Sequence, residues 1–177
     1  CRVWLRPKEK LNKYMNWQQV VRHPAFIIGL VLKLILIFTC DTMFPKTYFI
    51  PFLDLAVQNM GTNPWTLLPA EHFPYGGFLF VWMLWPKLLG YLIFGEIALG
   101  NGPLGLFLFK LPLLLMDLLL LGLLVEATVQ RWKPLLHFYW LNPISIYILY
   151  VHGQLDIVSV TLTLASAILL TRNRYMV

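Results

Sequence analysis

Charged residues are scarce in this chain of 177 residues: they make up 12% of it, whereas hydrophobic residues make up 59%. A soluble domain contains about 25% charged residues. The apolar residues also come in runs too long for a water-facing surface, which excludes a soluble globular domain and predicts an integral membrane protein. Cysteine is nearly absent too, and the two present, Cys1 and Cys40, indicate neither a disulfide framework nor a metal site.

Basic residues are concentrated at the amino end, where Glu9 is the one acid against six lysines and arginines in residues 1–24. Such a block beside an apolar segment is typical of a cytoplasmic anchor next to anionic lipid, and nucleic acid is not an expected partner. The chain therefore divides into a cytoplasmic, interfacial segment 1–23, a transmembrane module 24–171 and a cytoplasmic end 172–177. We expect it to be a piece of a longer protein.

The number of membrane spans depends on one segment, 75–99, which carries Pro86 and Lys87. If it crossed the membrane, the basic clusters "VQRWKP" and "RNR" would fall outside, whereas the positive-inside rule keeps such clusters in the cytoplasm. We therefore predict an interfacial or re-entrant helix at the outer face, with Pro86 and Lys87 near water. The predicted fold is an all-α, polytopic helical bundle with four spans, at 24–40, 104–125, 134–151 and 155–171.

The predicted external loop, 41–103, would carry two juxtamembrane helices, one in "TYFIPFLDLAVQN" and one at 77–94. The connector "MGTNPWTLLPAEHFPYGG" between them is rich in helix-breaking residues. Asp41 follows the first span directly, where a carboxylate could accept a proton from a sugar hydroxyl. Asp54, Glu71 and His72 are rivals for that role. The loop aromatics suit sugar stacking or interfacial anchoring.

Charged side chains inside spans are costly, so each is a functional hypothesis. Lys110 and Asp117 are seven residues apart, which places them on one helix face about 10 Å apart along the axis. Lys110, towards the outer side, suits a lipid-linked phosphate. Asp117 lies near mid-membrane, where the alternative is a structural polar stripe. Lys33 could face the bundle interior or a polar site.

A second polar group lies in "YVHGQLD", at the predicted external turn between the last two spans. His152, Gln154 and Asp156 offer acid–base, amide and carboxylate chemistry, and Gly153 permits a tight turn. The alternative is a solvated hairpin tip. Upstream, "LNPIS" predicts a kink at Pro143.

The order of "NPW...FPYGGFLF", "FKLPLLLMDLLLL" and "WLNPISIYILYVHGQLD" resembles the GT-C superfamily of membrane glycosyltransferases. The likeness covers about residues 24–171. It is closest to the dolichyl-phosphate-glucose-dependent glucosyltransferases of N-glycan assembly and to bacterial polyprenol-dependent mannosyltransferases, of which the chain would be the N-terminal part. Two positions depart from the family pattern: Gly76 replaces the second proline of the "YPP" motif, and Asp41 stands earlier than the usual loop aspartate, with Asp54 later.

The resemblance implies an inverting transferase that moves a hexose from a polyprenyl-phosphate donor to a lipid- or protein-linked hydroxyl acceptor. It would act at the outer face of a prokaryotic cytoplasmic membrane or the lumenal face of the endoplasmic reticulum, with the N-terminus cytoplasmic. Membrane lipid and membrane proteins are further expected partners.

No metal ligand is assigned, and a divalent metal stays open as cofactor. The alternatives are a non-catalytic GT-C-like subunit or scaffold, and a transporter lined by Lys33, Lys110 and Asp117. Asp41 would be the base, and the substrate-binding residues would be Tyr75, Lys110, Asp117, His152, Gln154 and Asp156.

Overall fold

The computed structural model describes residues 17–40, 43–128 and 132–172, and within these ranges the chain is helical without a strand. The all-α prediction is thus confirmed. The helices are α1 (Pro24–Thr39), α2 (a π-helical part Pro45–Phe49 followed by Ile50–Gln58), α3 (Gly77–Phe94), α4 (Pro103–Thr128), α5 (Trp132–Leu135 followed by the π-helical Leu136–Trp140), α6 (Pro143–Ile146 followed by the π-helical Tyr147–His152) and α7 (Asp156–Arg172).

Helix starts follow from local sequence. Pro24 and Pro143 occupy the first turns of α1 and α6, where a missing backbone N–H costs nothing. The side chain of Asn142 caps α6 by accepting from the Ile144 N–H at 2.9 Å, and its amide donates to the Phe138 carbonyl at 3.1 Å. The kink predicted at Pro143 is therefore a break between two helices, bridged by the asparagine.

Helix α4 is the centre of the bundle and packs against α1, α3 and α7. Its Lys110 hydrogen-bonds the carbonyl of Leu36 in the last turn of α1, so α1 and α4 run in opposite directions. The other end of α4, at Val125, shares an apolar cluster with Val20 and Trp132. We call the end formed by Cys40, Lys110 and Tyr150 the loop end.

Two of the described helical stretches are long and apolar enough to cross a membrane, Gly77–Ala98 and Pro103–Thr128, which agrees with a membrane protein. At 26 residues, α4 is about 39 Å long, more than a bilayer core of about 30 Å. Three further apolar helices are shorter: Pro24–Thr39, Pro143–His152 and Asp156–Thr171. The number of spans stays a prediction.

Helix α3 shows apolar side chains at its exposed positions, among them Phe78, Val81, Leu92 and Ile93. A helix lying along the water interface presents a polar face. The side chains of α3 therefore fit contact with lipid and not the predicted interfacial placement.

The prediction that Pro86 and Lys87 lie near water is wrong, because Pro86 is buried and the Lys87 side chain is fully buried. Its ammonium lies 2.7 Å from Asp54 Oδ1 and donates to the Ala98 carbonyl at 3.3 Å. The second oxygen of Asp54 accepts from the Gly100 N–H at 2.6 Å. Burial raises the pKa of the Asp54 carboxyl, and the charge of Lys87 opposes that shift. We call Asp54 and Lys87 the Asp54 pair. Together with their backbone partners they join α2, α3 and the segment that leads to α4.

Candidate functional site

A buried ion pair lies in the middle of the bundle, between α1 and α4. The Lys33 ammonium is 2.6 Å from Asp117 Oδ2, and both side chains are at most 2% exposed. The phenol of Tyr139 donates to Oδ1 at 2.5 Å, and the phenol of Tyr150 donates to Oδ2 at 2.6 Å. Three donors thus converge on one carboxylate, which is what a buried charge requires to be tolerated. We call Lys33, Asp117, Tyr139, Trp140 and Tyr150 the Asp117 cluster.

Trp140 completes this cluster on the side of α1. The Lys33 ammonium lies 3.2 Å from the centroid of the Trp140 ring, a cation–π contact, and the indole N–H donates to the Phe26 carbonyl at 3.0 Å. Gly29 makes this approach possible, since a Cβ there would lie 2.3 Å from the indole nitrogen. The three aromatic members of the cluster lie in the π-helical parts of α5 and α6. Such segments recur at functional sites.

Lys110 closes the open end of α1. Its ammonium donates to the carbonyls of Leu36 at 3.2 Å, Cys40 at 2.5 Å and Tyr150 at 2.8 Å. The Leu36 carbonyl also accepts from the N–H of Cys40, the C-cap residue of α1, at 3.0 Å, so Lys110 adds a second donor at this helix end. Lys110 and Asp117 both bond Tyr150, one its carbonyl and the other its phenol, which confirms that the two charges share a face of α4. The predicted contact of Lys110 with a phosphate stays a prediction.

A cleft of about 300 Å³ opens at the loop end, between the start of α2 and the end of α6. Its lining residues are Met43, Phe44, Tyr48, Tyr147 and His152. The imidazole of His152 lies 6.1 Å from the Phe44 ring and 6.4 Å from the Tyr147 ring, measured between centroids. The structure thus places one predicted site residue, His152, in an aromatic-walled cleft.

The turn after His152 is held against α2. Gly153 has φ +76°, a left-handed conformation that favours glycine, as the sequence predicted for a tight turn. A Cβ on Gly153 would lie 2.5 Å from Pro45 Cγ, so the turn and the start of α2 are in direct contact. This contact brings Phe44 and His152 to the same cleft.

The other predicted residues lie near this end or outside the described ranges. Tyr75 packs against Phe49 and Phe73, and its pKa is raised by burial and by the charge of Asp156. Gln154 is half-buried and Asp156 is exposed at the start of α7. Asp41, the predicted base, lies outside the described residues. In sequence it stands between Cys40, a Lys110 partner, and the cleft residue Met43.

Sequence reasoning missed several residues of the Asp117 cluster and of the cleft. Tyr139 and Tyr150, the phenols that bond Asp117, lie on separate helices on either side of the break at Asn142, so no regular spacing in the sequence indicates them. Tyr48, one of the loop aromatics, also lines the cleft. Its ring lies 5.5 Å from that of His72, a rival site residue whose buried Nδ1 has no hydrogen-bond partner among the described residues.

The described part of the chain contains no group of three or more His, Cys, Asp or Glu side chains placed to hold a metal ion. The open question of a divalent metal therefore receives no support from these residues. Comparison of the chain with protein-family models, with curated proteins and with solved structures gives no match.

Proposed function

We propose that this protein is a GT-C-like membrane glycosyltransferase that moves a hexose from a polyprenyl-phosphate donor to a hydroxyl acceptor at the loop end. The observation that carries the proposal is the cleft, in which His152 meets the aromatic walls formed by Phe44, Tyr48 and Tyr147. A volume of about 300 Å³ is at the lower end of the range for small-molecule sites. Aromatic faces suit the apolar faces of a sugar, and an imidazole can exchange hydrogen bonds with hydroxyl or phosphate oxygens.

A lipid-linked donor fits the surroundings of this cleft. Met43 is 77% exposed and Ile144 is 67% exposed, and Tyr147 and Ile148 add exposed apolar surface on α6. In a membrane protein such surface faces acyl chains. A polyprenyl chain could therefore stay in the lipid while its phosphate and sugar enter the cleft.

The proposed topology has four spans, formed by α1, α4, α5 with α6, and α7, and places the loop end outside. Two contacts support a re-entrant α3. Phe73, which precedes α3, stacks on Phe52, and Gly100, which follows it, bonds Asp54, so both flanks of α3 return to neighbouring residues of α2. Gly90 of α3 lies against Leu108, in the first turns of α4.

This topology is tested with cysteines at Glu71 and Glu96, two exposed positions on either side of α3. In a Cys1→Ser, Cys40→Ser background, a membrane-impermeant maleimide added to sealed right-side-out vesicles should label both introduced cysteines. A spanning α3 would leave one of the two unlabelled until the membrane is permeabilised, and that result would remove the external loop from the proposal.

The proposed roles follow the sequence assignments except for those of Lys110 and Asp117, which the sequence assigned to substrate binding. Asp41 is the general base that takes the acceptor hydroxyl's proton as the sugar carbon is attacked and its bond to the phosphate breaks. His152 and Gln154 hold the donor at the cleft, and Tyr75 and Asp156 are proposed as further substrate-binding residues. Lys110 and Asp117 set the positions of these groups from within the bundle.

The activity test uses purified protein in proteoliposomes with polyprenyl-phosphate-linked radiolabelled glucose or mannose. We expect transfer by the wild type, a loss of at least about 10²-fold for Asp41→Asn as a general-base deletion, and no loss for Glu96→Gln, an exposed acid of the same loop. Full transfer by Asp41→Asn would exclude it as the base.

A non-catalytic subunit is the second candidate, and one observation favours it: three carbonyls accept from Lys110 and three donors saturate Asp117, as in a purely structural core. Absence of transfer with both donors, together with stoichiometric copurification of another membrane protein, would support this candidate and contradict the transferase.

A further inference from the structure

We propose that Tyr150 is a positioning residue that fixes His152 in the cleft by linking it to the buried Lys33–Asp117 pair. Tyr150 is fully buried. Its phenol donates to Asp117 at 2.6 Å and its carbonyl accepts from Lys110 at 2.8 Å. Side chain and backbone are therefore both held by α4, two residues before His152.

The far side of the same turn is held independently. Gly153 directly follows His152 and packs on Pro45 of α2. His152 thus lies between two fixed residues: Tyr150, which is held by α4, and Gly153, which is held against α2. Loss of either contact should let the imidazole move relative to the aromatic walls of the cleft.

Lys33 and Tyr150 meet at the same oxygen of Asp117. The Lys33 ammonium and the Tyr150 phenol each lie 2.6 Å from Oδ2, so the ion pair fixes the acceptor that holds Tyr150. The order of contacts runs from Lys33 through Asp117 and Tyr150 to the His152 turn. The buried charges thereby act on the cleft without contacting a donor bound there.

Tyr139 supplies a matched control within the chain. Its phenol donates to the same carboxylate at 2.5 Å, but it belongs to α5, on the other side of the break at Asn142. Tyr139→Phe and Tyr150→Phe remove the same chemical group from the same acceptor. Only Tyr150→Phe loosens the segment that carries His152.

The experiment is NMR of the full chain in nanodiscs with isotope-labelled histidine, in which each of the four imidazoles gives its own resonance. His152 is assigned with His152→Gln. Tyr150→Phe should displace the His152 resonance and leave that of His137, which lies in α5, unmoved. Tyr139→Phe should leave His152 unmoved. Equal displacement of His152 by both variants, or by neither, would overturn the proposal.

A second pair of variants covers the case in which Tyr150→Phe fails to fold. Site-specific 3-fluorotyrosine keeps each phenol and its volume while making it a stronger donor. Fluorination at 150 should displace His152, and fluorination at 139 should not. The opposite pattern would contradict the proposal.

The significance for catalysis rests on the proposed transferase function, whereas the NMR result does not. If transfer is observed, Tyr150→Phe should lower kcat about tenfold to hundredfold, the scale of a small misplacement of a site group, and Tyr139→Phe should not. If no transfer is observed but the NMR shifts are as expected, the result would count against the transferase function alone. Transfer with no selective shift would count against Tyr150 alone.

Discussion

The described part of the chain contains two buried lysine–aspartate pairs that satisfy their charges in different ways. In the Asp117 cluster the partners of the pair are side chains, two phenols and an indole face. In the Asp54 pair they are backbone groups, the Ala98 carbonyl and the Gly100 N–H. The first pair fixes whole helices and reaches the cleft through Tyr150, whereas the second fastens a connecting segment to α2 and α3. Similar ion pairs can thus serve the site or only the scaffold.

Removing the carboxylate should be most damaging in the Asp117 cluster. Asp117→Ala leaves Lys33 charged and buried and deprives two phenols of their acceptor, so we expect a loss of about 3–5 kcal/mol in the free energy of unfolding. Asp54→Ala also leaves a buried lysine, Lys87, but it should cost less, because the only other described donor that loses its acceptor in this pair is the Gly100 N–H. Reversible unfolding in mixed micelles measures both, with Glu96→Ala as the unaffected control. An equal loss for Asp54 and Asp117 would contradict the distinction.

Double-mutant cycles test whether the two pairs are independent. Lys33→Met with Asp117→Asn should show a coupling energy of about 0.5–3 kcal/mol, as should Lys87→Met with Asp54→Asn. The crossed combination, Lys33→Met with Asp54→Asn, should add to within about 0.5 kcal/mol, since no contact joins the pairs directly. A large crossed coupling would show that the scaffold pair also acts on the cluster.

Gly153 tests the second support of the His152 turn. Gly153→Ala places a Cβ in a left-handed residue and against Pro45, so we expect a loss of about 1–2 kcal/mol from the backbone alone and a displaced cleft. Gly76→Ala is the control, because its φ is −70° and its Cβ would meet open space. Thermal unfolding compares the two. Equal stability of both variants would mean that the turn is not held against α2.

A smaller effect should appear in the pH dependence of stability. Burial raises the pKa of Asp54 in the folded state, so the folded protein binds this proton more tightly than the unfolded chain does. Its contribution to stability is fully present below the unfolded pKa of about 3.9 and is lost as the pH rises through the raised value. Asp54→Asn should therefore flatten the pH profile of the melting temperature over that window, whereas Glu96→Gln should retain it. An unchanged profile in Asp54→Asn would contradict this assignment.

The sequence predicted features that depend on composition and regular spacing. The helical fold, the shared face of Lys110 and Asp117, and the tight turn at Gly153 all follow from such patterns. The sequence did not predict the pairing of Lys87 with Asp54, because a contact between residues 33 positions apart depends on how the loop folds back. The π-helical turns that bring Tyr139 and Trp140 to Lys33 likewise leave no regular period to read.

The most direct test of the central claim is a titration of the histidine-labelled protein with polyprenyl-phosphate-mannose and, separately, polyprenyl-phosphate-glucose. We predict that at least one donor displaces the His152 resonance in a saturable way, that the His137 resonance stays unmoved, and that the unphosphorylated polyprenol has no effect on either. A His152 resonance unmoved by both donors at saturating concentrations, in protein shown to be folded, would contradict the assignment of the cleft as the donor site.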